Sequence, residues 1–490
     1  HKLLKTAQFA LINKLLLNMT KNKKENLISI FQAISPLDYR YCLRNKKIIN
    51  ALSPYLSEEG FIKYLAKVES ALVKVHSKRG VCSKSIVEEV ANACLIVTAE
   101  EVYEEEDRIK HNIRALVNCI KKHISDSAKP FVHFTATSYD IIATADALRF
   151  KEFTNDALLG MLIELEKTLI SIAEREKATL QIGRTHGQFA EPITYGFAIA
   201  QYVSRLGGRI LEIERTANNL RGKFSGAVGA YNSLSLLFPD AEKFEEEIMN
   251  ELGLTPSPIS TQIAEPEYIT DFMHSIISTF GVIANLADDM RHLQRSEISE
   301  IAEFFDDKQV GSSTMPQKRN PINFENVKSM WKTFSPRMLT IYSDQISEHQ
   351  RDLTNSASSR FIPEILAGFY ISVERMNKVM QNVVVDKENM KRNFTMASDS
   401  IIAEPLYILL ARYGHPDAHE YIRRLSIESQ KTGKSLVVLM ENDSGLKKYL
   451  SKFTSKQKDT LYNPMEYVGV AERKTSEVCK LWRKRFGIGS

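Results

Sequence analysis

Gly311-Ser312-Ser313-Thr314-Met315-Pro316-Gln317-Lys318-Arg319-Asn320-Pro321 concentrates reactive chemistry in eleven residues. The glycine permits a backbone bend that other residues resist. Two serines follow, and then two cations and an amide lie between prolines that fix φ. Such a loop presents a hydroxyl, backbone donors and positive charge to one anion. The plainer alternative, a solvated loop between helices, suffices for an isolated Gly-Ser-Ser but leaves the rest of the string unexplained.

Other stretches carry comparable chemistry. In Gly183-Arg184-Thr185-His186-Gly187-Gln188, two glycines flank a Thr-His pair, so the backbone can approach a ligand closely. Its plain reading is a turn ending a helix, with an incidental histidine. His133-Phe134 followed by Thr137-Ser138 and Asp140 reads as a helix start with Ser or Thr as N-cap. The open N–H groups of a helix start also bind anions. Ser35-Pro36-Leu37-Asp38-Tyr39-Arg40-Tyr41 reads as a turn carrying an arginine, whose planar fork suits a phosphate. His111-Asn112-Ile113 falls in a helical stretch. The Gly-rich run from Arg221 to Asn232 fits neither phosphate-loop nor dinucleotide patterns and reads as a structural turn.

The eleven-residue string resembles the signature of the fumarase/aspartase superfamily, whose members eliminate fumarate from a succinyl group. The Thr185-His186-Gly187-Gln188 string resembles that superfamily's Thr-His-Gly-Gln. The Arg40-Tyr41 pair and the spacing of Arg351, Ser356 and Arg360 resemble the adenylosuccinate lyase family in particular. The resemblance implies that Ser312 is the base, His186 the acid oriented by Glu325, and Lys318 and Asn320 the carboxylate ligands. It implies that Arg40 and Tyr41 bind the nucleotide phosphate and that Arg351, Ser356 and Arg360 bind the nucleotide. It further implies substrate contacts from His111, His133, Thr137, Ser138, Thr185, Gln188 and Gln262. Two positions depart from the family pattern. Asn112 stands where Asp is usual, and Gln317 stands where adenylosuccinate lyases commonly have His and argininosuccinate lyases Gln.

The implied reaction releases fumarate from adenylosuccinate and from the succinylated aminoimidazole carboxamide ribotide (SAICAR). It takes a weakly acidic proton beside a carboxylate, stabilises the resulting dianion and protonates the leaving nitrogen. That requires a base, an acid and preorganised donors and cations, but no metal and no organic cofactor. Two alternatives stand beside it: argininosuccinate lyase, with the same chemistry and another leaving group, and a non-catalytic structural protein on the same fold.

Long helices must position these motifs. The 490 residues include only 21 glycines and 15 prolines, about 7% against roughly 12% in average proteins, so few breakers interrupt helices. Leu158, Leu162, Leu165, Leu169 and Ile172 recur at helical spacing, which predicts a long core helix reaching towards Leu180. From Glu267 to Phe305 no proline intervenes, which predicts one helix of about 40 residues and about 60 Å. A second long helix is expected from Asn323 into the 340s, with 306–310 as the connector to the signature. The resemblance implies an all-α fold, with a central bundle of long helices flanked by two smaller helical domains. The expected divisions are 1–24 as an N-terminal extension, 25–130, 131–382 for the central bundle and 383–490. It also implies a homotetramer whose active sites gather motifs from three subunits.

Net charge is +5, too mild at this length to call for nucleic acid and compatible with a small anionic substrate. The five cysteines are scattered without Cys-x-x-Cys spacing, which fits a reducing cytoplasm and argues against a disulfide framework or zinc site. No uninterrupted apolar run approaches the ~18–20 residues that span a bilayer. Residues 1–24 hold six lysines and no acid, and read as an extension outside the fold, with a targeting peptide as the alternative.

Overall fold

A computed structural model describes residues 32–306, 308 and 311–489. The expected extension 1–24 lies outside these residues, as do Asp307, Gln309 and Val310 of the expected connector. The chain divides into two compact units, His1–Pro54 and Tyr55–Ser490. In the first, a π-helical turn at Leu37–Leu43 carries Arg40 and Tyr41.

The second unit is built almost entirely of helices. It opens with α1 (Glu58–Lys78), α2 (Lys84–Ile96), α3 (Ala99–Ile109) and α4 (Asn112–Lys122). Ser57, Ser83 and Thr98 each accept a hydrogen bond from a first-turn N–H, so the first three starts are written in the local sequence. Next come α5 (Ser138–Phe153), α6 (Leu159–Arg175), the hairpin β1 (Leu180–Thr185) and β2 (Gln188–Thr194), and α7 (Tyr195–Asn218). After these run α8 (Ala241–Leu252), α9 (Glu267–Leu293), α10 (Ile322–Phe334) and α11 (Ile362–Gln381). Helices α6, α7, α9, α10 and α11 pack in a closed cycle, with α11 returning to α6. The stripe Leu158, Leu162, Leu165, Leu169 and Ile172 is buried within it.

Helix ends differ from the sequence expectation in three places. α6 stops at Arg175 rather than near Leu180, because the chain enters β1. α9 ends at Leu293 after 27 residues, not near Phe305. No local breaker stops it. Instead β3 (Ile301–Ala302) pairs with β4 (Val384–Val385), and buried Glu300 finds its partners only if the chain turns. α10 ends at Phe334, ahead of a 3-10 turn at Ser335–Arg337 and a short helix Met338–Ser343. Pro336 explains that break: Ser335 still donates to the Trp331 carbonyl, but the proline has no N–H to donate four residues back, so the α-helical ladder ends. α9 is long and apolar enough to cross a membrane, but 61% of its apolar window is buried in the bundle, as in a core helix. The stretch 387–412 passes the same test and is divided into α12 (Lys387–Ile401) and α13 (Ala403–Arg412).

Beyond α12, Leu406, Leu410, Ile422, Leu436 and Leu446 form a separate small core. The last helix, α14 (Ala471–Phe486), returns to pack on α6 and α7.

Candidate active site

The signature loop is folded on itself. A Cβ on Gly311 would fall on the Lys318 carbonyl oxygen, so only glycine fits there. The Asn320 side-chain amide donates to the Gly311 carbonyl at 3.1 Å, closing the loop. Ser312 Oγ accepts from the N–H groups of Thr314 (3.3 Å) and Met315 (3.1 Å). Hydrogen bonds of this kind favour the negative form of the oxygen they reach. Lys318 is exposed and Ser312 half-buried. Buried Glu303, at the loop's entry, accepts from the N–H groups of Asn323 (2.8 Å) and Phe324 (2.9 Å) at its exit. That carboxylate clamps the two ends together and caps α10. Glu325 lies exposed in the first turn of α10.

The Thr-His-Gly-Gln string is a hairpin tip rather than a helix-ending turn. Thr185 pairs with Gln188, and the two residues between them, His186 (φ 56°) and Gly187 (φ 75°), both have positive φ. Positive φ at both central residues is what a two-residue type I′ turn requires. The turn leaves Thr185, His186 and Gln188 exposed at the tip. The hairpin base is anchored by Glu300, which is fully buried. Its carboxylate accepts from Gln181 Nε2 (2.8 Å), Arg184 (2.6 Å) and Asn393 Nδ2 (2.8 Å). Glu300 therefore ties the hairpin that carries His186 to the segment leading into the signature loop.

A third group gathers at the start of α5. Thr137 and Asp140 form a capping box, with the Thr137 N–H donating to Asp140 Oδ2 at 2.8 Å. Asp140 also accepts from the ammonium of buried Lys223 (2.5 Å) and from the Gly226 N–H (3.2 Å). This assigns the Gly-rich turn the structural part expected of it. His133 holds a left-handed backbone, φ 64°. Fully buried Glu69 clamps it, accepting from its N–H (3.1 Å) and pairing with Nδ1 (2.7 Å). Burial opposes the imidazolium, but the Glu69 charge and hydrogen bond win and raise the His133 pKa. Beneath this loop His76 contacts the Phe134 carbonyl at 3.1 Å, and burial lowers its pKa to about 4.

The Arg351 guanidinium lies 3.5 Å from the centroid of the Tyr139 ring and donates to the Tyr139 hydroxyl. The Gln262 N–H donates to the Gln350 carbonyl at 3.3 Å. One chain thus brings Thr137, Ser138, Gln262 and Arg351 onto adjoining segments. A cavity of about 150 Å³ lies beside them, with Tyr139, Arg221, Glu265 and Asn355 in its wall.

Other placements differ from the simplest expectation. Among the described residues no hydrogen bond joins His186 to Glu325, so one chain does not itself supply the expected orienting contact. His111 is the N-cap of α4, its Nδ1 accepting from the Arg114 N–H at 3.2 Å. Asn112 Oδ1 accepts from the Ile113 N–H at 2.7 Å. Ser356 and Arg360 lie around the 3-10 turn Ser358–Phe361, with Arg360 exposed. Sequence reasoning missed Glu69, Glu300 and Tyr139. Only Tyr139 carried a signal, standing between Ser138 and Asp140.

Two family models match the chain: one described as Lyase over residues 21–333, and one described as Adenylosuccinate lyase C-terminal over residues 347–461. The chain is 34% identical over 460 residues to the adenylosuccinate lyase of Pyrococcus abyssi, covering 90% of this chain and 99% of that one. It is 33% identical over 454 residues to the enzyme of that name from Archaeoglobus fulgidus, covering 91% and 98%. Among solved structures, a 3-carboxy-cis,cis-muconate lactonizing enzyme from Pseudomonas putida matches with TM-score 0.77 at 21% identity, over 89% of this chain and 98% of that one. A fumarate lyase from Mesorhizobium sp. BNC1 matches with TM-score 0.78 at 20% identity, with the same coverage. At such identities the two structures establish the fold alone.

Proposed function

The chain belongs to the adenylosuccinate lyase family of the fumarase/aspartase superfamily, and from that membership we propose that it releases fumarate from both adenylosuccinate and SAICAR with Ser312 as base. The observation that carries the choice of substrate is the family match over residues 347–461, which includes Arg351, Ser356 and Arg360. Ser312 Oγ removes the proton from the succinyl carbon beside a substrate carboxylate, and the C–N bond on the adjacent carbon then breaks to give fumarate. The Thr314 and Met315 N–H groups on that oxygen support its negative form, as does the charge of Lys318. Lys318 and the second N–H of Asn320 hold the substrate carboxylates. His186 protonates the leaving nitrogen. Arg40, Tyr41, Arg351, Ser356 and Arg360 take the nucleotide end. His111, His133, Thr137, Ser138, Thr185, Gln188 and Gln262 complete the pocket.

The acid and base meet in a homotetramer. The exposed hairpin tip and exposed Glu325, without a bond between them in one chain, fit an acid oriented by a neighbouring subunit's glutamate. Five free cysteines fit a cytoplasmic enzyme. Incubation with each purine substrate and with argininosuccinate, following fumarate, tests the reaction; turnover of argininosuccinate alone refutes it. Ser312→Ala should lower kcat by ~10²–10⁴-fold with KM little changed. Ser313→Ala is the control, and near-normal kcat in both variants refutes a serine base. Mixing inactive Ser312→Ala and His186→Ala proteins should restore activity if the two side chains come from different subunits.

A further inference from the structure

We propose that Tyr139 is a positioning residue that holds Arg351 ready for the nucleotide end of the substrate. The proposal rests on the reading of Arg351 as a nucleotide ligand. The Arg351 guanidinium is fixed on three sides. Its Nε donates to the Asp352 carbonyl at 2.8 Å. One terminal nitrogen donates to Asn355 Oδ1 at 3.2 Å and to the Tyr139 hydroxyl. Its flat face lies against the Tyr139 ring, 3.5 Å from the centroid. The other terminal nitrogen is buried and has no hydrogen-bond partner among the described residues. A buried donor without an acceptor is unfavourable, so this nitrogen is where an incoming acceptor gains most.

Tyr139 supplies two things at once: a π-face for stacking the guanidinium and a hydroxyl that selects its rotation. It is the second residue of α5, directly after Ser138. Its neighbour Asp140 is locked to Lys223 and Gly226 in the buried interior. Tyr139 therefore joins the helix start to an arginine 212 residues away and makes one rigid recognition surface of them. A long side chain already held in its binding rotamer loses less freedom when the ligand arrives.

The test combines Tyr139→Phe, Tyr139→Leu, Arg351→Met and the double variant Tyr139→Leu/Arg351→Met, with AMP affinity by calorimetry and full steady-state kinetics. Tyr139→Phe keeps the ring and should weaken AMP binding and raise KM by roughly 3–10-fold, the value of one hydrogen bond. Tyr139→Leu loses ring and hydroxyl and should weaken both by roughly 10–100-fold, with kcat and inhibition by fumarate near their original values. The double variant should bind AMP no worse than Arg351→Met alone, because the tyrosine acts through the arginine. Losses that add in the double variant, or tyrosine variants with unchanged AMP affinity while Arg351→Met is impaired, overturn the proposal and leave Arg351 a ligand. Unchanged AMP affinity in Arg351→Met overturns the reading of Arg351 itself. If Tyr139→Leu does not fold, the near-isosteric Tyr139→Phe decides.

Discussion

Glu166 lies in the buried stripe of α6 with Leu165 and Leu169, and among the described residues neither of its carboxylate oxygens has a hydrogen-bond partner. Burial alone pushes its pKa up from 4.5 to about 9. The unfolded chain releases this proton above about pH 4.5, whereas the folded chain keeps it to about pH 9. Folding at neutral pH thus takes up a proton, at a penalty of about 1.4 kcal/mol for each pH unit above 4.5. At pH 7 the penalty is about 3 kcal/mol; it is absent below pH 4.5 and levels off above pH 9. Glu166→Gln keeps the volume and the unpaired polar atoms but removes the proton uptake. Its stability relative to the original chain should therefore rise steadily from pH 5 to pH 8.5, gaining about 3 kcal/mol by pH 7. Urea unfolding of both proteins across that range, at one protein concentration because assembly adds to apparent stability, measures the difference. A difference that does not change with pH would show that the carboxylate is ionised in the native core, and would refute the reasoning.

Glu69→Gln should lower the His133 pKa, because the charge and hydrogen bond that raise it are weakened. The raised value contributes stability that is fully present below the unfolded value of 6.5 and lost as pH rises through the folded one. The variant should therefore lose most stability at acidic pH, read by urea unfolding from pH 5 to pH 9. Glu300→Gln weakens the buried ion pair with Arg184 and loosens the hairpin base; a displacement of the His186 tip should cost on the order of 10²-fold in kcat, seen in steady-state kinetics. Gly207→Ala places a methyl against the Trp482 indole and should cost about 1–3 kcal/mol by overpacking, with altered fluorescence from one of only two tryptophans in the chain.

What the local sequence determined lies mostly at helix starts and tight turns. Thr137 and Asp140 write the start of α5 within four residues, and Ser57, Ser83 and Thr98 do the same for α1, α2 and α3. The stripe from Leu158 to Ile172 fixes which face of α6 is buried, because helical spacing places those side chains together. His186-Gly187 specifies the hairpin tip through positive φ, although the short strands around it carried too little alternation to be read in advance. Pro336 marks the end of α10. The signature string and its ordered companions were enough to point to the family.

Tertiary structure decided what depends on distant partners. α9 stops at Leu293 without a proline or glycine because Glu300 must meet Gln181, Arg184 and Asn393, and Ile301 must pair with Val385. Glu69 looks like any helical glutamate until the fold buries it against His133, 64 residues away. Tyr139 and Arg351 are unremarkable apart and form one stacked, hydrogen-bonded unit together. A buried charge is stable only with a partner of matching geometry, and a partner hundreds of residues away leaves no periodic mark in the sequence around either residue.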